Sequence, residues 1–154
     1  MTYTLQTFSL VNPVVSTSPA YTSGDNVGGK LTFTSVFVTS KMAGLLSGIL
    51  ITDKAKQVAN MDLILFSEDP TGTTFTDNSA QAIADADLTK IIGVFNLATH
   101  CSLSDNSITY GSGLSESIYS TCGGSLYGCL VVRATPTYAA TTDLSVRIDV
   151  LQDS

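Results

Sequence analysis

Between Gly44 and Val94 the chain alternates strand-length apolar runs with polar intervals. Gly44 to Thr52 (GLLSGILIT) and Val58 to Phe66 (VANMDLILF) are two such runs, joined by Asp53-Lys54-Ala55-Lys56-Gln57. In the second, Met61, Leu63 and Leu65 alternate with Asp62, Ile64 and Phe66. Its C-terminal end is apolar on both sides of an extended chain, which predicts a strand covered on both faces. Leu144 to Leu151 shows a cleaner period of two: Leu144, Val146, Ile148 and Val150 share one face and Ser145, Arg147 and Asp149 the other. Further runs are residues 1–11, Leu31 and Phe33 continuing to Val36 and Val38, Val94 to Ala98, Ser107 to Tyr110, Leu114 to Tyr119, and Leu126 to Ala134.

Turn chemistry punctuates these runs. Asn12-Pro13, Ser18-Pro19, Ser23-Gly24-Asp25 and Gly28-Gly29 make residues 12–30 a long loop, and Glu68-Asp69-Pro70-Thr71-Gly72 opens a second irregular stretch through Ala84. Asp85 to Gly93 predicts one or two helical turns, with Asp85 at the start and Gly93 as the stop. Short strands separated by turns, with almost no helix and no internal repeat, predict an all-β fold: an antiparallel, jelly-roll-like β-sandwich with one short helix. The expected organisation is a single domain over 1–154, with 1–30 free to extend from it as an arm and loop.

Composition narrows the function. The 154 residues suffice to bury a core without disulfides. Charged residues are 13% of the chain, against about 25% in ordinary globular proteins. No apolar run approaches the ~18 residues of a membrane-spanning helix. Thr and Ser supply much of the polar surface, and a hydroxyl-rich, weakly charged surface lowers repulsion between copies. The net charge is −6 with seven scattered Lys and Arg, which argues against a nucleic-acid partner. The N-terminal MTYTLQTFSLV lacks a basic region and an A-x-A site, so it does not read as a secretory signal. Cys101, Cys122 and Cys129 are odd in number and lack C-x-x-C spacing, which predicts packing thiols rather than a disulfide framework or a zinc site.

Four constellations merit weighing as chemistry. Gly24 to Lys30 (GDNVGGK) matches the first seven positions of a phosphate-binding loop, but Leu31 stands where a magnesium-binding hydroxyl is needed and no helix follows. His100-Cys101 joins a base to a thiol, yet strand neighbours point to opposite faces; Cys122 and Cys129 lack any sequence link to His100. Asp77, Asn78, Asp85 and Asp87 could supply calcium oxygens, without EF-hand spacing or a bidentate Glu. Tyr110, Tyr119, Tyr127 and Tyr138 could form a carbohydrate shelf, although a chain without Trp favours their use in packing. The expectation is therefore no catalytic, cofactor-binding or metal-binding residues, and no enzyme.

LLSGILITDKAKQVANMDLILF, then PTGTTFTDN, ADADLTKIIGV and LYGCLVVRATPTYAATTDLSVRIDVLQD resemble the small virion proteins of tailed bacteriophages, most closely the capsid decoration or cement proteins. The resemblance runs from about Tyr21 to Asp153, with Asp53-Lys54-Ala55, Gln57 and Asn60-Met61-Asp62-Leu63 among its most specific words. It implies a jelly-roll-like fold, a homotrimer, and the major capsid protein as partner. The chain would be made in the host bacterial cytoplasm and sit on the capsid surface of the virion, stabilising the shell. The alternative is a carbohydrate- or receptor-binding module of a head fibre or tail. For contact with a partner, the sequence points to residues 2–11, 12–30 and 67–84.

Overall fold

The computed structural model describes residues 4–121 and 123–153. Among the described residues nine strands follow in order: β1 (Thr4–Val11), β2 (Asn26–Phe33), β3 (Ala43–Asp53), β4 (Met61–Phe66), β5 (Ile91–Leu97), β6 (Thr99–Ser102), β7 (Ser107–Tyr119), β8 (Leu126–Val132) and β9 (Leu144–Asp153). One sheet has the order β1-β9-β3-β7-β6 and the other β2-β8-β4-β5. Every pairing is antiparallel. The pairs β1–β9, β2–β8, β3–β7 and β4–β5 are those of one long hairpin rolled so that its arms alternate between two sheets. That connectivity is the jelly roll, with β6 as an added edge strand.

Side-chain alternation drives the stacking of the sheets. Leu144, Val146, Ile148 and Val150 of β9 are buried while Ser145, Arg147 and Asp149 are partly open, as the period of two predicts. Met61, Leu63 and Leu65 of β4 point into the same core, with Leu46, Ile49 and Ile51 of β3 and Leu130 and Val132 of β8. Gln152 extends the inward face of β9 as a polar residue and is fully partnered. Its Nε2 donates to Thr7 Oγ1 and to the Val36 carbonyl, both at 2.8 Å, and its Oε1 accepts from the Val38 amide.

Three sequence expectations change. The arm and loop expected over 1–30 do not project from Thr4 onward, and residues 1–3 lie outside the described residues. Thr4–Val11 pairs along its whole length with Asp153–Val146, Val15 and Tyr21 of the following loop are buried, and Asn26 begins β2. The loop thus ends at Asp25, five residues before Lys30. The predicted helix over Asp85–Gly93 is a single 3-10 helix, Asp85–Lys90. Its cap is Ala84, whose amide donates to Thr73 Oγ1, so Asp85 does not cap it. Ile91, Ile92 and Gly93 belong to β5: β-branched Ile91 pairs with Phe66, and the Phe95 ring lies over the Gly93 Cα, where a Cβ would meet it at 2.5 Å. Finally, β2 ends at Phe33. Ser35 turns the chain at φ 53, so Val36 is buried beyond the strand and Val38 is exposed.

Candidate functional site

The glycine-rich turn holds an anion that the chain itself supplies. Gly28 and Gly29 adopt φ 79 and 76, conformations in which side chains are strained. The Gly28 amide donates to Asp77 Oδ1 at 2.6 Å, and the same oxygen accepts from the Tyr21 hydroxyl at 2.7 Å. The Gly29 amide donates to Asn26 Oδ1 at 2.7 Å. Lys30 pairs with Asp69 at 2.7 Å and lies 5.7 Å from the Tyr127 ring. The amides that would cradle a phosphate are therefore spent on protein oxygens.

The acidic residues are also divided among separate tasks. Asp77 joins the tyrosine and the turn. The Asn78 side chain donates to the Pro19 carbonyl. Asp87 is 1% exposed; it accepts from Thr73 Oγ1 at 2.7 Å and pairs with Lys90 at 2.9 Å, and these partners hold its carboxyl below the usual aspartate range. Among the described residues no group of three or more His, Cys, Asp or Glu is placed to hold a metal ion.

His100 is in strand β6. Its Nδ1 is 2.8 Å from Thr109 Oγ1 and its Nε2 is 2.7 Å from Asn60 Oδ1, so both ring nitrogens are engaged. Cys101, the next residue along the strand, is an exposed free thiol. Cys129 is a free thiol buried between Phe66 and Val131, and burial pushes its pKa up to about 12. Cys122 lies outside the described residues. The tyrosines are scattered. Tyr138 is in the core, edge-on to Tyr21 at 5.6 Å; Tyr127 is on the outside of the second sheet; Tyr110 and Tyr119 are on β7.

The two outer faces of the sandwich are treated differently. On the β2-β8-β4-β5 sheet, Phe66, Cys129 and Val131 face outward, and the segment 67–84 folds over them. Its Phe75 and Ile83 complete a second small core with Ile64, Ile91 and Tyr127. This roof is tied down by Asn26 to Gln81, by Asp77 to Tyr21, and by the Asp87–Lys90–Thr73 group. Sequence reasoning found the two-sided cover of β4 but took 67–84 as a free loop. Its only large apolar residues are Phe75 and Ile83, eight positions apart among Thr, Asp, Ser and Ala, so the roof has no periodic signal.

The outer face of the β1-β9-β3-β7-β6 sheet has no such roof among the described residues. Across it the pairing register sets Leu10 beside Arg147, Arg147 beside Leu50, and Leu50 beside Tyr110. Phe8 and Leu10 are 57% and 58% exposed, and Leu45 is 43% exposed. Arg147 is bound to Asp149 at 2.8 Å and lies 5.3 Å from the Phe8 ring, so its charge is locally neutralised. The result is a bare, largely uncharged and partly apolar face, suited to contact with a macromolecular surface.

No family model matches the chain. No curated protein matches it. Among solved structures, the chain is similar to one of turnip yellow mosaic virus, at 12% identity over 100% of this chain and 96% of that one, with a TM-score of 0.33. It is also similar to a chain of the full particle of Israeli acute paralysis virus heated to 63 degrees, at 9% identity over 99% and 69% of the two chains, with a TM-score of 0.27.

Proposed function

We propose that this chain is a non-enzymatic structural protein of a bacteriophage virion, which binds the outer surface of the capsid and stabilises the shell. The observation that carries the reading is the asymmetry of the two outer faces. The chain roofs part of one sheet with its own segment 67–84, leaving Val94 open on the β5 edge, and gives the other no roof among the described residues, with Phe8, Leu10 and Leu45 exposed. The Gly28 and Gly29 amides, Asp77, Asp87 and His100 support it as well, because each is engaged by an internal partner. The phage assignment itself rests on the sequence resemblance over Tyr21–Asp153.

The mechanism is linkage. A protein that binds the assembled shell and not its separated subunits stabilises the assembled state by mass action. Many copies on a repeating lattice add these increments without any one contact being strong. The major capsid protein is the proposed partner, met by the bare sheet face rather than by the segments 12–25 and 67–84, which are packed onto the sandwich. The test is co-sedimentation of purified chain with bare shells. Saturable binding, weakened by Leu45→Asp or Leu50→Asp, supports the reading. Failure to bind shells together with binding to a glycan surface would replace it by the receptor-binding alternative.

A further inference from the structure

We infer that β1 is a self-association strand, and that its occupant is β1 of a second copy of this chain, paired antiparallel about a two-fold axis at Phe8. An edge strand presents unpaired backbone donors and acceptors, and proteins guard such edges with charges, glycines, prolines or bulges. The other edges here carry those guards. β2 has Gly28 and Gly29 at positive φ, Lys30, and a register shift between Val27 and Leu31. β5 has Gly93 and a register shift opposite Leu65–Phe66. β6 is four residues long, and beyond its partner segment β7 continues with Gly113 at φ 67 and with Glu116. β1 (TLQTFSLV) has none of these: eight residues, no charge, no glycine or proline, and an unbroken register with β9.

The sequence of β1 selects the occupant. In an antiparallel pair, opposed residues share a face, so a dyad at Phe8 matches each residue to the one equally far on the other side. On the outer face Phe8 meets Phe8 of the second copy and Gln6 meets Leu10. On the inner face Leu5 meets Val11, aliphatic against aliphatic, while Thr7 meets Ser9, whose hydroxyls stay donated to the Val36 and Thr34 carbonyls of their own chain. Charge points the same way. Copies of net charge −6 repel each other, and the repulsion is least where the approaching surface carries no charge and the nearest charges, Arg147 and Asp149, already neutralise each other. Pairing would join two five-stranded sheets into one continuous sheet and leave neither β1 edge free. A closed two-fold of this kind stands in place of the three-fold symmetry that the sequence resemblance implies. It is independent of shell binding, since a dimer that ignores shells would leave it intact.

The experiment is sedimentation equilibrium of the purified chain across the micromolar range, with Phe8→Lys as the disrupting variant. The expected result is a concentration-dependent dimer that becomes a monomer in Phe8→Lys, with the β-sheet circular dichroism unchanged. A second measurement covers the case in which Phe8→Lys fails to fold. In a Cys101→Ser, Cys122→Ser background, Phe8→Cys should give a disulfide-linked dimer on mild oxidation, because opposed Cα atoms lie about 4.5–5.5 Å apart, within the span a disulfide takes. Leu10→Cys, opposite Gln6, should not. A wild-type monomer throughout the range, an oligomer of unchanged mass in folded Phe8→Lys, or preferential cross-linking at position 10 would each overturn the inference.

Discussion

The carboxylate of Asp77 lies 2.6 Å from the amide of Gly28, 49 positions earlier in the chain. That contact turns a sequence that imitates a phosphate loop into a structural knot. The Tyr21 hydroxyl reaches the same Asp77 oxygen and also accepts from the Ser16 amide at 2.8 Å. One side chain therefore links the loop after β1, the start of β2 and the roof over the second sheet. Burial and the neighbouring carboxylate push the Tyr21 phenol well above its ordinary range, so it stays protonated and donates.

Asp77→Ala should leave the Tyr21 hydroxyl and the Gly28 amide without their acceptor. Stranding a buried donor costs about 1–3 kcal/mol, so a loss of about 2–4 kcal/mol is expected, with a smaller loss for Asp77→Asn. Urea unfolding measures both. Neither variant should gain affinity for nucleotides, which equilibrium dialysis would check.

The roof should loosen at both ends of the pH scale. The Lys90 ammonium and Thr73 hold the Asp87 carboxyl below its ordinary 3.8, and Asp87 holds Lys90 above its ordinary 10.5. For Asp87 the stabilisation is complete above 3.8 and is lost as pH falls below it through the folded value. For Lys90 it is complete below 10.5 and is lost as pH rises through the folded value. Backbone opening of residues 71–90, followed by pulsed exchange corrected for intrinsic rates, should rise in those two windows. Asp87→Asn should remove both rises.

Cys101 and Cys129 should separate by reactivity. With its pKa pushed up to about 12 and no access to solvent, the Cys129 thiol should resist iodoacetamide at pH 8 until the chain unfolds. Exposed Cys101 should be alkylated at once. Peptide mapping by mass spectrometry reads both, and equal labelling in the folded protein would contradict the placement of Cys129 beneath the roof.

Deleting residues 1–11 should destabilise the sandwich rather than leave it folded. β1 covers one side of β9, and Thr7 and Ser9 donate to the carbonyls of Val36 and Thr34. Removal would expose the edge of β9 and release Gln152 from Thr7. A fall in the midpoint of thermal unfolding is expected. An unchanged midpoint would mean that β1 is a detachable arm after all.

What could be read from the sequence was what repeats locally. The alternation of Leu144 to Val150 and the two-sided apolar character of β4 are periodic, and both appear as expected in burial. The jelly-roll class followed from many short strands with turns between them. The errors arose where distant partners decide. Ile91 to Gly93 read as the end of a helix because helix and strand share short apolar runs, and pairing with Phe66 and Leu65 settles the matter as strand. Residues 1–11 read as a strand, but whether a strand docks or projects depends on β9, more than a hundred residues later. The knot at Asp77 and the lock at Asp87 join polar residues with no motif between them. Aspartates in a Thr-rich loop are ordinary until their donors are placed.

The central claim is that this sandwich reinforces a capsid, and rupture of matched particles tests it most directly. Shells lacking the chain are prepared, half are saturated with purified protein, and genome release is followed during a temperature ramp. Decorated shells should rupture at a higher temperature, and the gain should shrink with Leu45→Asp or Leu50→Asp at equal protein concentration. Identical rupture temperatures for bare and saturated shells would contradict the account.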